Sequence, residues 1–304
     1  MSLVPMRQIL EEAHKGEYAA GYFESWDYGS LDATLKAAEE MSSPVIIGFG
    51  ARTFAERNSW DDRKLASFAA MGKTMTESSS VPVSFILNEA DEISMLRRGM
   101  ELGFNCLMFE GSHLPVEKNI ELTARLVKEG KRRAVDVEAE LGRIPAAGEK
   151  LRQNYLTSPS EARSFVEKTG LTALAVSVGN IHMSTGEQTS IDLAKLQKIR
   201  DYTNVPLVMH GGTGFPDKLV PEVIKKGVYK FNVGSIMKKG FLEELKSGLL
   251  REDLEEIDLT LVHHLADWPG SRNIFERAYA AVKEIVKEKI RVYGSADRVK
   301  PHSN

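Results

Sequence analysis

The run Pro206–Leu207–Val208–Met209 leads straight into His210–Gly211–Gly212–Thr213–Gly214, and Val228–Tyr229–Lys230–Phe231 leads into Asn232–Val233–Gly234–Ser235. An imidazole is a ligand for a divalent metal, and a glycine-rich turn leaves backbone N–H groups free to face an anion. The second turn, small and polar, suits the other side of the same anion. Gly211, Gly212, Thr213, Asn232, Gly234 and Ser235 are therefore expected to bind phosphate beside a metal held by His210. This is the chemistry of a phosphorylated metabolite.

Such side chains need a scaffold that gathers distant segments. Short apolar runs alternate with amphipathic stretches, giving strand candidates at Tyr18–Phe23, Val45–Phe49, Val83–Leu87, Cys106–Phe109, Ala134–Ala139, Ala173–Val178, Leu207–Met209 and Val228–Phe231. Helical patterns lie between them at Ser30–Met41, Glu92–Leu102, Ile120–Glu129, Pro159–Lys168, Asp192–Arg200 and Pro216–Lys226. This alternation predicts an α/β fold, a (β/α)8 TIM barrel, with an open doubly wound sheet as the alternative. No linker divides the chain, so residues 1–304 read as a single domain whose C-terminal helical extension includes Ile274–Lys289. In a barrel, residues at the C-terminal strand ends converge on one mouth. Those positions are Glu24, Asn88, Glu89, Glu110, Glu138, Glu140, His182, His210 and Asn232. Only one of Glu138 and Glu140 is expected to point into the mouth, the other being structural.

Composition excludes other classes. A net charge of −3 gives no reason to expect nucleic acid or an anionic membrane as partner. No apolar stretch approaches the ~20 residues that span a bilayer. The one cysteine, Cys106, lies in an apolar run, which rules out a disulfide framework and suits a buried thiol in the cytoplasm. His14, His113, His263, His264 and the basic run Lys131–Arg132–Arg133 read as packing or solvated groups.

The sequence resembles the class II, metal-dependent fructose-bisphosphate and tagatose-bisphosphate aldolases along nearly its whole length. The resemblance rests on Ser43–Pro44–Val45–Ile46, Val81–Pro82–Val83, Glu110–Gly111–Ser112–His113–Leu114–Pro115 with Asn119, and above all Val137–Glu138–Ala139–Glu140–Leu141–Gly142–Arg143. Ala173–Val176 up to His182, both glycine-rich turns and Gly294–Ser295–Ala296–Asp297–Arg298 extend it. The resemblance implies a zinc site that polarises a ketose carbonyl and stabilises an enediolate. It also implies an acid/base aspartate beside the first metal histidine, a glutamate on a mobile loop, and two turns that hold phosphate. Of the metal histidines, the second and third carry over to His182 and His210.

The remaining positions depart from that pattern together. Where the family has His-x-Asp-His, this chain has Ile86–Leu87–Asn88–Glu89, so Asn88 takes the catalytic position and Glu89 the first ligand position. The loop glutamate is displaced to Glu149, the glycine after His182 is Met183, and the acidic residue after the fourth strand is Glu110. A neutral amide orients a hydroxyl but exchanges no proton near neutral pH. Glu89 either completes a two-His, one-carboxylate site with His182 and His210, or leaves the metal and acts as the base. Ligation is the favoured reading. Zinc is expected, with manganese, iron or magnesium as alternatives.

The expected activity is aldol cleavage or condensation of a phosphorylated ketose or related sugar, other than ordinary fructose-bisphosphate cleavage. The alternatives are a non-catalytic phosphosugar-binding protein and a metal-dependent sugar-phosphate isomerase or epimerase. The expected partner is a small phosphorylated sugar, and the assembly a homodimer or homotetramer.

Overall fold

The apolar runs that read as strands are buried on both faces, as parallel strands covered by helices must be. The computed structural model describes residues 2–57, 59–182, 190–251, 259–267 and 269–299. It closes eight parallel strands into a barrel in sequence order. The elements run α1 Met6–Lys15, β1 Ala20–Ser25, α2 Tyr28–Glu40, β2 Val45–Gly50, α3 Asp62–Glu77, β3 Val83–Ala90, α4 Ile93–Leu102 and β4 Cys106–Phe109. They continue with α5 Val116–Arg132, β5 Asp136–Leu141, α6 Pro159–Thr169, β6 Ala173–Val176, α7 Leu193–Tyr202, β7 Leu207–Met209, α8 Val220–Lys225 and β8 Val228–Val233. After the last strand come α9 Ser235–Arg251, α10 Leu259–Ala266 and α11 Ile274–Tyr293. This is a (β/α)8 TIM barrel.

Local sequence explains where the helices begin and end. Asp27 and Ser30 form a capping box at α2, Asp192 accepts from the Lys195 N–H at α7, and Asn273 accepts from the Phe275 and Glu276 N–H groups at α11. Left-handed Gly103, Gly170 and Gly294 end α4, α6 and α11. Two helices went unread in the sequence. One is α1, where Arg7 binds Asp136 of β5 through its backbone N–H at 2.8 Å and its guanidinium at 2.7 Å. The other is α3, whose buried stripe Leu65, Ala69, Gly72 and Thr76 is too small to stand out by hydrophobicity.

Several strands extend further toward the mouth than their apolar runs. The first ends at Ser25, the third at Ala90 and the last at Val233. Glu24, Asn88 and Asn232 are therefore strand residues held in the ladder, and Glu89 lies within β3 where its pairing with β4 breaks. From the C-terminal extension α11 packs on α9 and α2, and its Tyr293 ring stacks on Phe231 of β8 at a centroid distance of 4.5 Å.

Candidate active site

The third strand is irregular where the chemistry is expected. Its pairing with β4 shifts register between Leu87 and Ala90, and Glu89 has φ of +53°. A bulge of this kind breaks the strict alternation of faces and re-aims side chains. A left-handed glutamate also carries a backbone cost of order 1–2 kcal/mol. The result is that Glu89 meets the two histidines: one ligand atom from each of Glu89, His182 and His210 lies within 4.8 Å of the other two. Its neighbour Asn88 is buried, and both of its amide atoms lack a hydrogen-bond partner.

His210 follows β7 and is fully buried. Its Nε2 lies 3.2 Å from Glu138 Oε1, while Nδ1 lies 3.3 Å from Glu89 Oε1 and 3.7 Å from Glu140 Oε2. Asn180 donates from its side chain to the His210 carbonyl at 3.1 Å, fixing the backbone below the ring. Lys230 of β8 donates to Glu138 Oε2 at 2.7 Å, and both groups are fully buried. Glu138 thereby orients one imidazole nitrogen and leaves the other toward Glu89, the arrangement that prepares a histidine for a metal.

Both Glu138 and Glu140 face the interior, contrary to the expectation that only one would. Residues two apart on a strand share a face, so the fifth strand presents the pair together. Glu140 sits highest, near Glu110, whose carboxylate accepts from the Ser112 N–H at 3.0 Å and from its hydroxyl.

The titration of these groups follows from burial and mutual charge. Burial opposes charge on His210, but the Glu138 and Glu89 carboxylates prevail and raise its pKa to about 10. Burial, reinforced by His210, lowers His182 to about 4, leaving it a neutral imidazole. Burial opposes charge on Glu89, but His210, His182 and the nearby Asn88 amide together outweigh it and hold its pKa at about 2. Glu140 is driven well above the usual carboxylate range by burial and by the charge of Glu110. Two carboxylates, Glu89 and Glu138, and the Glu140 carboxyl, which favours its neutral form, thus surround a single protonated imidazole. The donor set suits a divalent cation, which would take over the role of the His210 proton: Glu140 Oε2 is buried without a hydrogen-bond partner, and His210 Nδ1 faces carboxyl oxygens at 3.3 and 3.7 Å.

The glycine-rich turns meet as the sequence suggests. Gly211 has φ of +75°, and a Cβ there would lie 2.2 Å from the Ile181 carbonyl oxygen, so only glycine fits. A Cβ at Gly212 would come within 2.7 Å of the Asn232 carbonyl, which puts the two turns in contact. The Thr213 hydroxyl accepts from the Ile236 N–H at 3.3 Å, while Gly234 and Ser235 open α9 at its positive end. Asn232 lies 2.9 Å from His210 Nε2 through its amide nitrogen, and its amide oxygen has no partner.

Glu149 stands apart. Its carboxylate is held by the Arg143 guanidinium at 2.6 Å and by the Ala146 N–H at 3.3 Å. The loop that carries it is tied to the His182 segment, since the His182 N–H donates to the Pro145 carbonyl at 2.8 Å and the Ala147 N–H to the His182 carbonyl at 2.9 Å. Met183 lies outside the described residues. Two groups escaped the sequence reading. Lys230 looked like one more strand residue, although a lysine inside an apolar strand signals a buried partner. Arg52, just beyond β2, is near enough to His182 to oppose its protonation.

The family model for fructose-bisphosphate aldolase class-II matches residues 4–298. A fructose-bisphosphate aldolase of Geobacillus stearothermophilus is 30% identical over 300 residues, covering 98% of this chain and 99% of the relative. Among solved structures, the YdjI aldolase of Escherichia coli K12 superposes with a TM-score of 0.81 at 28% identity, over 98% of this chain and all of that one. A putative fructose-1,6-biphosphate aldolase of Coccidioides immitis gives a TM-score of 0.79 over 97% of each chain. At 24% identity it speaks for the fold alone.

Proposed function

The chain belongs to the class II fructose-bisphosphate aldolase family, and from that premise we propose that it is a metal-dependent aldehyde-lyase for a phosphorylated ketose other than fructose 1,6-bisphosphate. The observation that carries the reading is the convergence of Glu89, His182 and His210 at the mouth, next to two glycine-rich turns. Zinc is the first choice of cation, and the carboxylate ligand keeps manganese, iron and magnesium in contention. When bound, the cation supplies the Lewis acidity that polarises a ketose carbonyl.

The protein groups supply position and proton control. Backbone N–H groups of Gly211–Thr213 and Gly234–Ser235, with the Ser235 hydroxyl, hold the phosphate at the start of α9. Asn88 presents an unpartnered buried amide to a substrate hydroxyl and orients it without taking its proton. Glu149, released from Arg143, is the loop carboxylate that moves a carbon-bound proton. The enzyme is read as cytoplasmic, and Leu242 and Leu250, exposed on α9, support its reading as a homodimer or homotetramer.

The neutral Asn88 favours one rival, a sugar-phosphate isomerase or epimerase that uses the same cation without C–C cleavage. Incubating the zinc-loaded protein with a panel of ketose 1-phosphates and trapping released aldehyde separates the two. Aldehyde release, lost in His182→Ala, is the expected result. Intact carbon skeletons with a new isomer in the mixture would replace the lyase by the isomerase.

A further inference from the structure

The end of the barrel opposite the mouth carries a cavity of 420 Å³ that the reaction leaves unused. It lies between α1, the C-terminal ends of α5 and α7, and the segments that enter β5 to β8. Leu10, Val127, Val135 and Val137 give it a buried apolar wall. Tyr229 adds the face of its ring, since its hydroxyl is hydrogen-bonded to His14 Nδ1. Of the cations at the edge, Arg7 is committed to Asp136 at 2.7 Å. Arg200 lies over the Tyr229 ring, 6.0 Å from its centroid, with Nη1 3.5 Å from the Val205 carbonyl oxygen. Lys131, on the last turn of α5, brings its Nζ to 3.2 Å from where a Cβ on Gly170 would stand. Among the described residues neither Arg200 nor Lys131 has a carboxylate partner. Glu11 is the one acid of the lining besides Asp136.

We propose that this cavity is a second ligand site, built for a small aromatic carboxylate. Its volume falls within the range of roughly 300–1,000 Å³ that small-molecule sites occupy. An apolar wall and a tyrosine ring take a flat apolar body, and two cations without partners take an anionic group. Lys131 and Arg200 against Glu11 leave one positive charge unbalanced, which matches a carboxylate better than a phosphate dianion. The Arg200 guanidinium is the main anchor, because the Tyr229 ring and the Val205 carbonyl hold it in place and its planar fork meets a carboxylate with two donors. Lys131 is exposed and contributes a weaker, screened attraction. None of the residues that would hold the cation or the phosphate lines this cavity, so its occupant is distinct from the substrate.

The probe is 2-naphthoate, equilibrated by dialysis with metal-loaded protein and read by its fluorescence, with 2-naphthol as the neutral control. The parent should bind about one naphthoate per chain and favour it over naphthol by about tenfold or more. Arg200→Met should weaken naphthoate by about tenfold and leave naphthol unchanged. Lys131→Met, at an exposed position that the fold does not need, should weaken naphthoate by about threefold. His182→Ala, at the other end of the barrel, should bind naphthoate as the parent does. Absence of naphthoate binding, or equal affinities for naphthoate and naphthol, would overturn the proposal. So would binding that survives both cation substitutions and is lost in His182→Ala, which would put the probe at the mouth.

Discussion

At the scale of single residues, the site turns on what replaces a lost imidazole. Glu89 occupies a strained left-handed position at a bulge, and this places its carboxylate against both histidines. Strain of this kind persists where the surroundings enforce it, and a cation ligand is a sufficient reason. The protonation states yield a measurable consequence. His210, with a pKa of about 10, carries a proton at neutral pH, whereas His182, at about 4, carries none. Binding a cation at His210 Nδ1 must expel the His210 proton, so affinity should rise with pH between 6 and 9 and flatten above the His210 pKa. Calorimetry of zinc binding in buffers of different ionisation enthalpy at pH 7.5 should report about one proton released per ion. Release of no proton would mean that the cation binds elsewhere.

At the scale of elements, the barrel interior ties β5, β7 and β8 together through Glu138, His210 and Lys230. The pair of Glu138 and Lys230 has no access to water, so removing one partner strands a charge. Lys230→Met should destabilise the fold by about 3–5 kcal/mol, whereas Lys230→Met with Glu138→Leu should recover much of the loss. Denaturant unfolding of both variants checks this, and equal destabilisation by the two would show that the ion pair is not what matters. Strand identity was legible because apolar runs mark parallel strands, and the two histidines were legible because they follow such runs. The bulge at Glu89 was not, since nothing in Asn88–Glu89–Ala90 announces a register shift. Nor was the shared face of Glu138 and Glu140 used, although the strand period dictates it.

At the scale of the whole molecule, the fold gathers residues from 24 to 235 around one mouth, and the sequence already implied this by alternating strand and helix. It could not show which carboxylates are paired internally and which are left for a ligand. Glu138 answers to Lys230 and Glu149 to Arg143, whereas Glu140 Oε2 and Asn88 have no partners. The cation site we propose is the set of two histidines and a carboxylate, Glu89, His182 and His210, that these neighbours surround. Elemental analysis after metal loading and gel filtration tests it most directly. The parent should retain about one divalent ion per chain, His182→Ala and His210→Ala essentially none, and Glu89→Gln a weakly held fraction. A parent without bound metal, or a double histidine variant that keeps its ion, would contradict the account.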